Sequence, residues 1–155
     1  MIKKISKEGD LTVNRKAFHD YEILETFEAG IILVGTEIKS LRDGGGNLLD
    51  AYITINPKGE AYLKNASIAP YRFGGVFNHE EKRERKLLLH KRELAKLAKV
   101  AQERGLTLIP IALYLKNGLV KVKIATAKGK KSYDKRASLK EKEQKREIDR
   151  SMKDR

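Results

Sequence analysis

The sequence contains no cysteine and no tryptophan, only three prolines, and no apolar stretch longer than the eight residues Leu108 to Leu115. Without cysteine there is no disulfide framework, no thiol nucleophile, no iron–sulfur cluster and no cysteine zinc site. The apolar stretch is interrupted by Pro110 and falls far short of the roughly 20 residues a membrane helix needs. Met1-Ile2-Lys3-Lys4 is basic, but no apolar segment of signal-peptide length follows it, so a cytoplasmic, membrane-free protein is expected. Acid is also scarce relative to base: 34 Lys and Arg face 21 Asp and Glu over 155 residues, a formal net charge of +13. A chain of this length fits one domain, its 40% hydrophobic content allows a core, and its charge points to an anionic partner.

The charge is unevenly placed. Residues 128–155 carry 12 Lys and Arg against 6 Asp and Glu. After Tyr133 this segment offers Leu139, Ile148 and Met152 as its sizeable apolar side chains, too few to offset the entropy of ordering it. The division expected is therefore a folded body, 1–127, and a basic tail, 128–155, disordered when free. The tail has no glycine or proline after Gly129 and is rich in Lys, Glu, Arg and Gln, so it is helix-prone against an anionic partner. A solubilising tail without a specific partner would have the same composition.

In the body, Asn14 stands as N-cap of a short helix over Arg15 to His19. Tyr21 to Val34 reads as a strand whose Ile23, Phe27, Ile31, Ile32, Leu33 and Val34 supply core, with a bend or bulge near Glu28-Ala29-Gly30. Thr36 would cap a helix ending at Gly44-Gly45-Gly46. Pro57-Lys58-Gly59 turns one hairpin, and Asn117-Gly118 turns another whose second strand alternates Val120, Val122 and Ile124 with Lys121 and Lys123. Glu80 to Lys86 lacks any apolar residue and reads as an exposed loop, followed by a short strand at Leu87-Leu88-Leu89. Leu94, Leu97, Ala98 and Ala101 repeat at helical spacing between a capping His90 with Glu93 and a terminating Gly105. The expected fold is mainly β with short helices: an OB-like antiparallel barrel of about six strands and about three helices, in which Pro110 demands an edge or bulge position.

Catalytic constellations are missing from this pattern. His79-Glu80-Glu81 begins like a zinc-protease helix, but Arg83 stands where the second histidine is needed. Gly129-Lys130-Lys131-Ser132 lacks the upstream glycine of a phosphate-binding loop, because Ile124 occupies that place. No spacing among the three histidines supports a metal or a catalytic pair, so neither enzymatic activity nor a cofactor is expected. A cationic strand face with tyrosines points to RNA. Tyr52, Tyr62, Tyr71 and Tyr114 each fit a core or a stacking role, whereas Tyr133 in the tail has no core to join and is the best stacking candidate. A structural ribosomal protein or a general RNA binder would satisfy the same features; a nuclease would need carboxylates or histidines at metal spacing.

Particular strings add to this reading. Asn14-Arg15-Lys16-Ala17, His19-Asp20-Tyr21, Glu28-Ala29-Gly30, Gly35-Thr36-Glu37-Ile38-Lys39-Ser40-Leu41-Arg42, Asn47-Leu48-Leu49-Asp50-Ala51-Tyr52, Arg85-Lys86-Leu87-Leu88-Leu89-His90-Lys91 and Ala127-Lys128-Gly129-Lys130-Lys131-Ser132-Tyr133-Asp134-Lys135-Arg136 resemble, in order, the SsrA-binding, or small protein B, family of bacterial trans-translation. The resemblance implies an OB-like barrel binding the tRNA-like end of transfer-messenger RNA and presenting it, alanyl-charged and with elongation factor Tu, to stalled ribosomes. It implies an adaptor whose tail enters the decoding centre and empty mRNA channel and becomes helical there. By the same resemblance Asn14, Arg15, His19, Glu28, Leu88 and Lys121 face the RNA. Lys128, Lys130, Lys131, Tyr133, Asp134, Lys135 and Arg136 form the decoding segment, and Ile148 with Met152 the apolar tail positions. Tyr133 stands where many members have histidine. Asn14 serves equally as a helix cap, and Leu88 equally as core. Glu28, an acid among cations, makes sense if it accepts hydrogen bonds from base amino groups or orients a neighbouring Lys or Arg. For the tail, a peptide spanning 128–155 should give a coil circular dichroism spectrum in plain buffer and a helical one in a helix-promoting solvent; stable helix in buffer alone would contradict the expectation.

Overall fold

The computed structural model describes residues 9–130. Residues 131–155, and with them Lys131, Tyr133, Asp134, Lys135, Arg136, Ile148 and Met152, lie outside the described residues. The elements run β1 (Asp10–Val13), α1 (Arg15–Asp20), β2 (Tyr21–Ile31), α2 (Gly35–Arg42), β3 (Gly46–Asn47), β4 (Tyr52–Ile55), β5 (Ala61–Lys64), β6 (Ser67–Ile68), β7 (Arg85–Leu88), α3 (Lys91–Gln102), β8 (Leu106–Lys116) and β9 (Leu119–Gly129). Seven strands form one antiparallel sheet in the order β1-β8-β9-β2-β7-β5-β4, and β3 pairs with β6 beside it. The sheet curls on itself, because β4 at one end packs against β8 near the other, while β3 and α2 cover β1. The expected β barrel with three helices is therefore present, with more strands than the sequence reading counted.

Both hairpins form where the turn residues placed them. Asn117 and Gly118 have φ of 52° and 78°, the two positive values a two-residue turn of this twist needs, and β8 and β9 then pair along their length. Pro110 sits at a bulge between Pro110 and Ala112, not at an edge, since β8 is flanked by β1 and β9. The bulge leaves two carbonyls to Asn14, whose side-chain amide donates to Pro110 O at 3.0 Å and whose backbone N–H donates to Ile111 O at 2.9 Å; the amide also reaches Leu48 O at 3.3 Å. Asn14 thus occupies the N-cap position of α1 without a side-chain cap, because its amide is committed across the fold.

The main core lies inside the barrel, where Leu41, Leu48, Leu63, Ile68, Leu87, Leu97, Leu108, Leu113, Val122 and Ile124 are buried. A second cluster lies outside the sheet: Ala17 of α1 packs on Ile109, Ile111, Ala125 and Ala127. Hence β9 alternates as expected up to Ile124 and is then buried on both faces. Three local readings need correction. Ile32 and Val34 are exposed and not core, because β2 ends at Ile31 and the chain turns into α2. Ala101 is also exposed, its place against the core taken by Val100. Thr36 does not cap α2; Val34 is the N-cap, and its N–H is bonded by the Glu37 carboxylate at 2.9 Å.

The largest correction concerns Glu80 to Lys86. Arg85 begins β7 and is wholly buried, as is Glu37 of α2, to which it donates from Nε at 2.7 Å. Arg85 also holds Ala66 O at 2.8 Å and Glu81 O at 3.1 Å, while Arg83 reaches the other Glu37 oxygen at 2.6 Å. A run without apolar residues enters the core here because every buried charge is paired and hydrogen-bonded. Burial alone would raise the Glu37 pKa, but the hydrogen bonds from Arg83, the Val34 N–H and Arg85 outweigh it and hold the carboxyl below its usual range. A depressed carboxylate stabilises the fold above its unfolded value and loses that contribution as pH falls through the folded one. Glu37→Gln should therefore cost about 3–5 kcal/mol at neutral pH, by leaving Arg85 buried without its counter-charge. Denaturant titrations should show the wild type losing stability below about pH 4 and the variant, weaker throughout, losing less there.

Candidate nucleic-acid interface

The outward face of the sheet is built by register. Along one rung, Leu88 of β7 lies beside Gly30 of β2, Gly30 beside Lys121 of β9, Lys121 beside Tyr114 of β8, and Tyr114 beside Asp10 of β1. The neighbouring rung on β2 and β9 pairs Glu28 with Lys123. Gly30 shapes the rung by lacking a side chain: a methyl group there would lie 3.4 Å from Leu88 Cβ and 3.8 Å from Lys121 Nζ. Anything larger would push the ammonium and the leucine apart. Leu88 is 52% exposed, so it belongs to this surface and not to the core.

Glu28 is the organising acid of the face. Its carboxylate accepts from Tyr114 Oη at 2.7 Å and from Lys116 Nζ at 3.1 Å. The Tyr114 hydrogen bond first, then Lys116, lowers its pKa below the usual carboxylate range. Burial and the adjacent carboxylate push the Tyr114 phenol well up, so it stays a protonated donor. Of the two roles open to Glu28, the geometry places it against a neighbouring lysine, with a tyrosine added. The sequence reading gave Tyr114 a core or a stacking role and not this partnership with Glu28, although the Asn117-Gly118 turn already fixes the register that sets Tyr114 opposite Lys121.

α1 forms the wall of this face. A groove of about 500 Å³ is bounded by Phe18 of α1, Asp10, Val13, Glu28, Tyr114 and Lys123. Arg15 and His19 lie one turn apart on α1, Arg15 exposed and His19 half-buried with Nδ1 2.9 Å from Asp20 Oδ1. His19 Nε2 is buried without a hydrogen-bond partner. Asn14, by contrast, is buried with its amide occupied, so it acts on this surface by fixing α1. At the far end of β9, Lys128 is an exposed strand residue paired with Glu22 and Leu106, because the ladder runs past 127 to Gly129. Lys130 then anchors the chain to the end of α1, donating from N to Asp20 O at 3.0 Å and from Nζ to Phe18 O at 3.2 Å. The residues leading to 131 thus leave the body beside His19.

The other histidines take structural places: His79 bridges Thr36 Oγ1 and Ile68 O, each at 2.8 Å, and His90 is the N-cap of α3, its N–H bonded by Glu93. Among the described residues no three His, Asp or Glu side chains converge as a metal site, and no helix is long and apolar enough to cross a membrane.

A curled antiparallel sheet that presents lysines and a tyrosine on one face, within a chain of net charge +13, defines an RNA-binding β-barrel protein. The chain belongs to the SmpB family, whose profile, described as SmpB protein, matches residues 11–154. It is 60% identical over 144 residues to the SsrA-binding protein of Chlamydia muridarum, covering 93% of this chain and 95% of that one. The SsrA-binding protein of Protochlamydia amoebophila is 60% identical over 147 residues, covering 95% of each, and that of Clostridium novyi 54% identical over 155 residues, covering 100% and 98%. A chain of a solved structure described as "tmRNA-SmpB: a journey to the center of the bacterial ribosome" superposes with a TM-score of 0.67 at 48% identity, covering 78% of this chain and 85% of that chain.

Glu28→Ala should weaken specific RNA binding about tenfold, or ~1.4 kcal/mol, by releasing Tyr114 and Lys116, even though the net positive charge rises. Fluorescence anisotropy at fixed salt checks this; uniformly tighter binding to all RNAs would reduce Glu28 to an electrostatic liability.

Proposed function

We propose that this protein is the RNA-binding adaptor of trans-translation: it binds the tRNA-like domain of transfer-messenger RNA and delivers it to stalled ribosomes, so that the nascent peptide is tagged for degradation. The observation that carries the reading is family membership spanning both the barrel and the basic tail, combined with the sheet face on which Lys121 and Tyr114 share a rung and Glu28 holds Lys116. The RNA docks on the outer face through Lys121, Leu88 and the Glu28-held Tyr114 and Lys116, with Arg15 and His19 on α1. Lysines neutralise phosphates, while the phenol and the leucine offer flatter, less polar contacts to bases or sugars. Asn14 supports this surface from beneath.

The second engagement belongs to the tail. Lys130 starts it at α1, and Lys128, Lys131, Tyr133, Asp134, Lys135 and Arg136 form its decoding segment, with Ile148 and Met152 further along. The protein works in the cytoplasm, carries no cofactor and presents the alanyl-charged RNA together with elongation factor Tu. It binds and positions, and the reacting groups belong to the RNA and the ribosome.

Deleting residues 131–155 is expected to leave affinity for the tRNA-like RNA nearly intact and to abolish tagging in a reconstituted stalled-ribosome assay. Loss of RNA binding on this truncation would remove the division of labour. Competition with ordinary tRNA and ribosomal RNA fragments at fixed salt separates this reading from that of a general RNA binder, which would show equal affinities.

A further inference from the structure

Three large apolar side chains project from one short segment between β6 and β7: Phe73 is 72% exposed, Val76 92% and Phe77 87%. Isolated exposed apolar residues are ordinary, but three within five positions form a patch of the kind that marks an interaction surface. The segment is firmly built. Asn78 clamps its two ends, accepting from Tyr71 N at 2.9 Å and donating to Tyr71 O at 2.7 Å. Gly74 is required beneath the clamp, since a methyl group there would come within 2.6 Å of the Asn78 amide, and Gly75 has a φ of +56°. His79 ties the segment to Thr36 and Ile68, and Ser40 donates to Ala69 O. The aromatic tip is thus held out into solvent by a pinned loop.

Cations already sit against its rings. The Arg72 guanidinium lies 4.9 Å from the Phe73 centroid, Lys39 Nζ lies 5.6 Å from that of Tyr71, and the two rings meet edge to face at 5.5 Å. Aromatic faces partnered by Arg and Lys are the elements with which proteins stack unpaired bases while neutralising the adjacent phosphates. The loop is also tied to the segment that follows the strand carrying the rung. From Leu88 and Gly30 on the rung, the exposed Ile32 and Val34 follow β2 outward to the start of α2, where Thr36 anchors the loop through His79.

We infer that Tyr71, Arg72, Phe73 and Phe77 form a second RNA contact, an aromatic platform on which unpaired bases of the transfer-messenger RNA stack, extending the rung past α2. The inference rests on the proposed function, and the two fail separately. The Arg and Lys seated on the rings, in a chain of net charge +13, suit the phosphates that flank stacked bases in an RNA strand.

The absence of tryptophan supplies the test. Phe73→Trp introduces the sole tryptophan of the full-length protein, on a residue too exposed to matter for folding. Its emission should be quenched on adding the tRNA-like domain RNA; unchanged emission at saturation overturns the inference. In parallel, Phe73→Ala/Phe77→Ala should weaken binding of that RNA by roughly fivefold or more, from the loss of base stacking, with the salt dependence unchanged. Arg72→Ala should lower the salt slope by about one phosphate contact. Full affinity in the double variant while Lys121→Ala binds weakly overturns the platform and leaves the proposed function standing. Full affinity in both removes the proposed interface as well. Normal RNA affinity with lost ribosome association assigns the patch to the ribosome and overturns the inference.

Discussion

The buried ion pair between Glu37 and Arg85 is the constraint on which the arrangement of the sheet depends. Two charges taken out of water are tolerated only when geometry and hydrogen bonding compensate both. Here one carboxylate receives Arg85, Arg83 and the Val34 N–H, and the remaining guanidinium donors reach carbonyls at Ala66, Glu80 and Glu81. The pair therefore joins the start of α2, the turn before β6 and the entry to β7 at one point. It places β7 beside β2 in the register that brings Leu88 next to Gly30, and so sets one end of the candidate RNA rung. A hydrophobic substitute could fill the space but would specify none of these directions.

A second polar commitment does the same at the opposite end of β2. The Pro110 bulge interrupts the β8–β9 ladder, and Asn14 closes the gap with its amide and its backbone N–H. This holds α1 down on the outer apolar cluster of Ile109, Ile111, Ala125 and Ala127, where Phe18 becomes a groove wall, Arg15 is exposed and His19 is half-buried against Asp20. Lys130 meets the carbonyl end of the same helix, so the origin of the basic tail and the wall of the sheet face are parts of one local structure.

The charge distribution of the face is more specific than its sign. An acid on a phosphate-binding surface is unfavourable unless it directs its neighbours, and Glu28 directs two: a phenol held as donor and a lysine held on the sheet. What results is a patterned surface of oriented groups, where bare lysines would give attraction without orientation.

Much of this was legible in the residue order. The Asn117-Gly118 and Pro57-Lys58-Gly59 turns, the period-two alternation from Val120 to Ile124, the helix over Leu94 and Leu97, the demand of Pro110 for a bulge and the partition of charge all follow from local rules, because each depends on conformational preferences within a few residues. The assignments of Glu80 to Lys86 as a loop, of Ile32 and Val34 as core, of Thr36 as a cap and of Lys128 as tail could not survive the fold. Ile32 and Val34 were decided by where β2 ends and the chain turns into α2, and the others by a partner distant in the chain: Arg85 by Glu37, Thr36 by His79, Lys128 by Glu22 and Leu106. The sequence by itself determined the two hairpins, the helix over Leu94 and Leu97, that the partner is anionic and which family the motifs resemble. Only the tertiary structure decided which charged residues are buried and which apolar ones exposed, since the cost of burying a charge depends on counter-charges and donors that folding alone brings together.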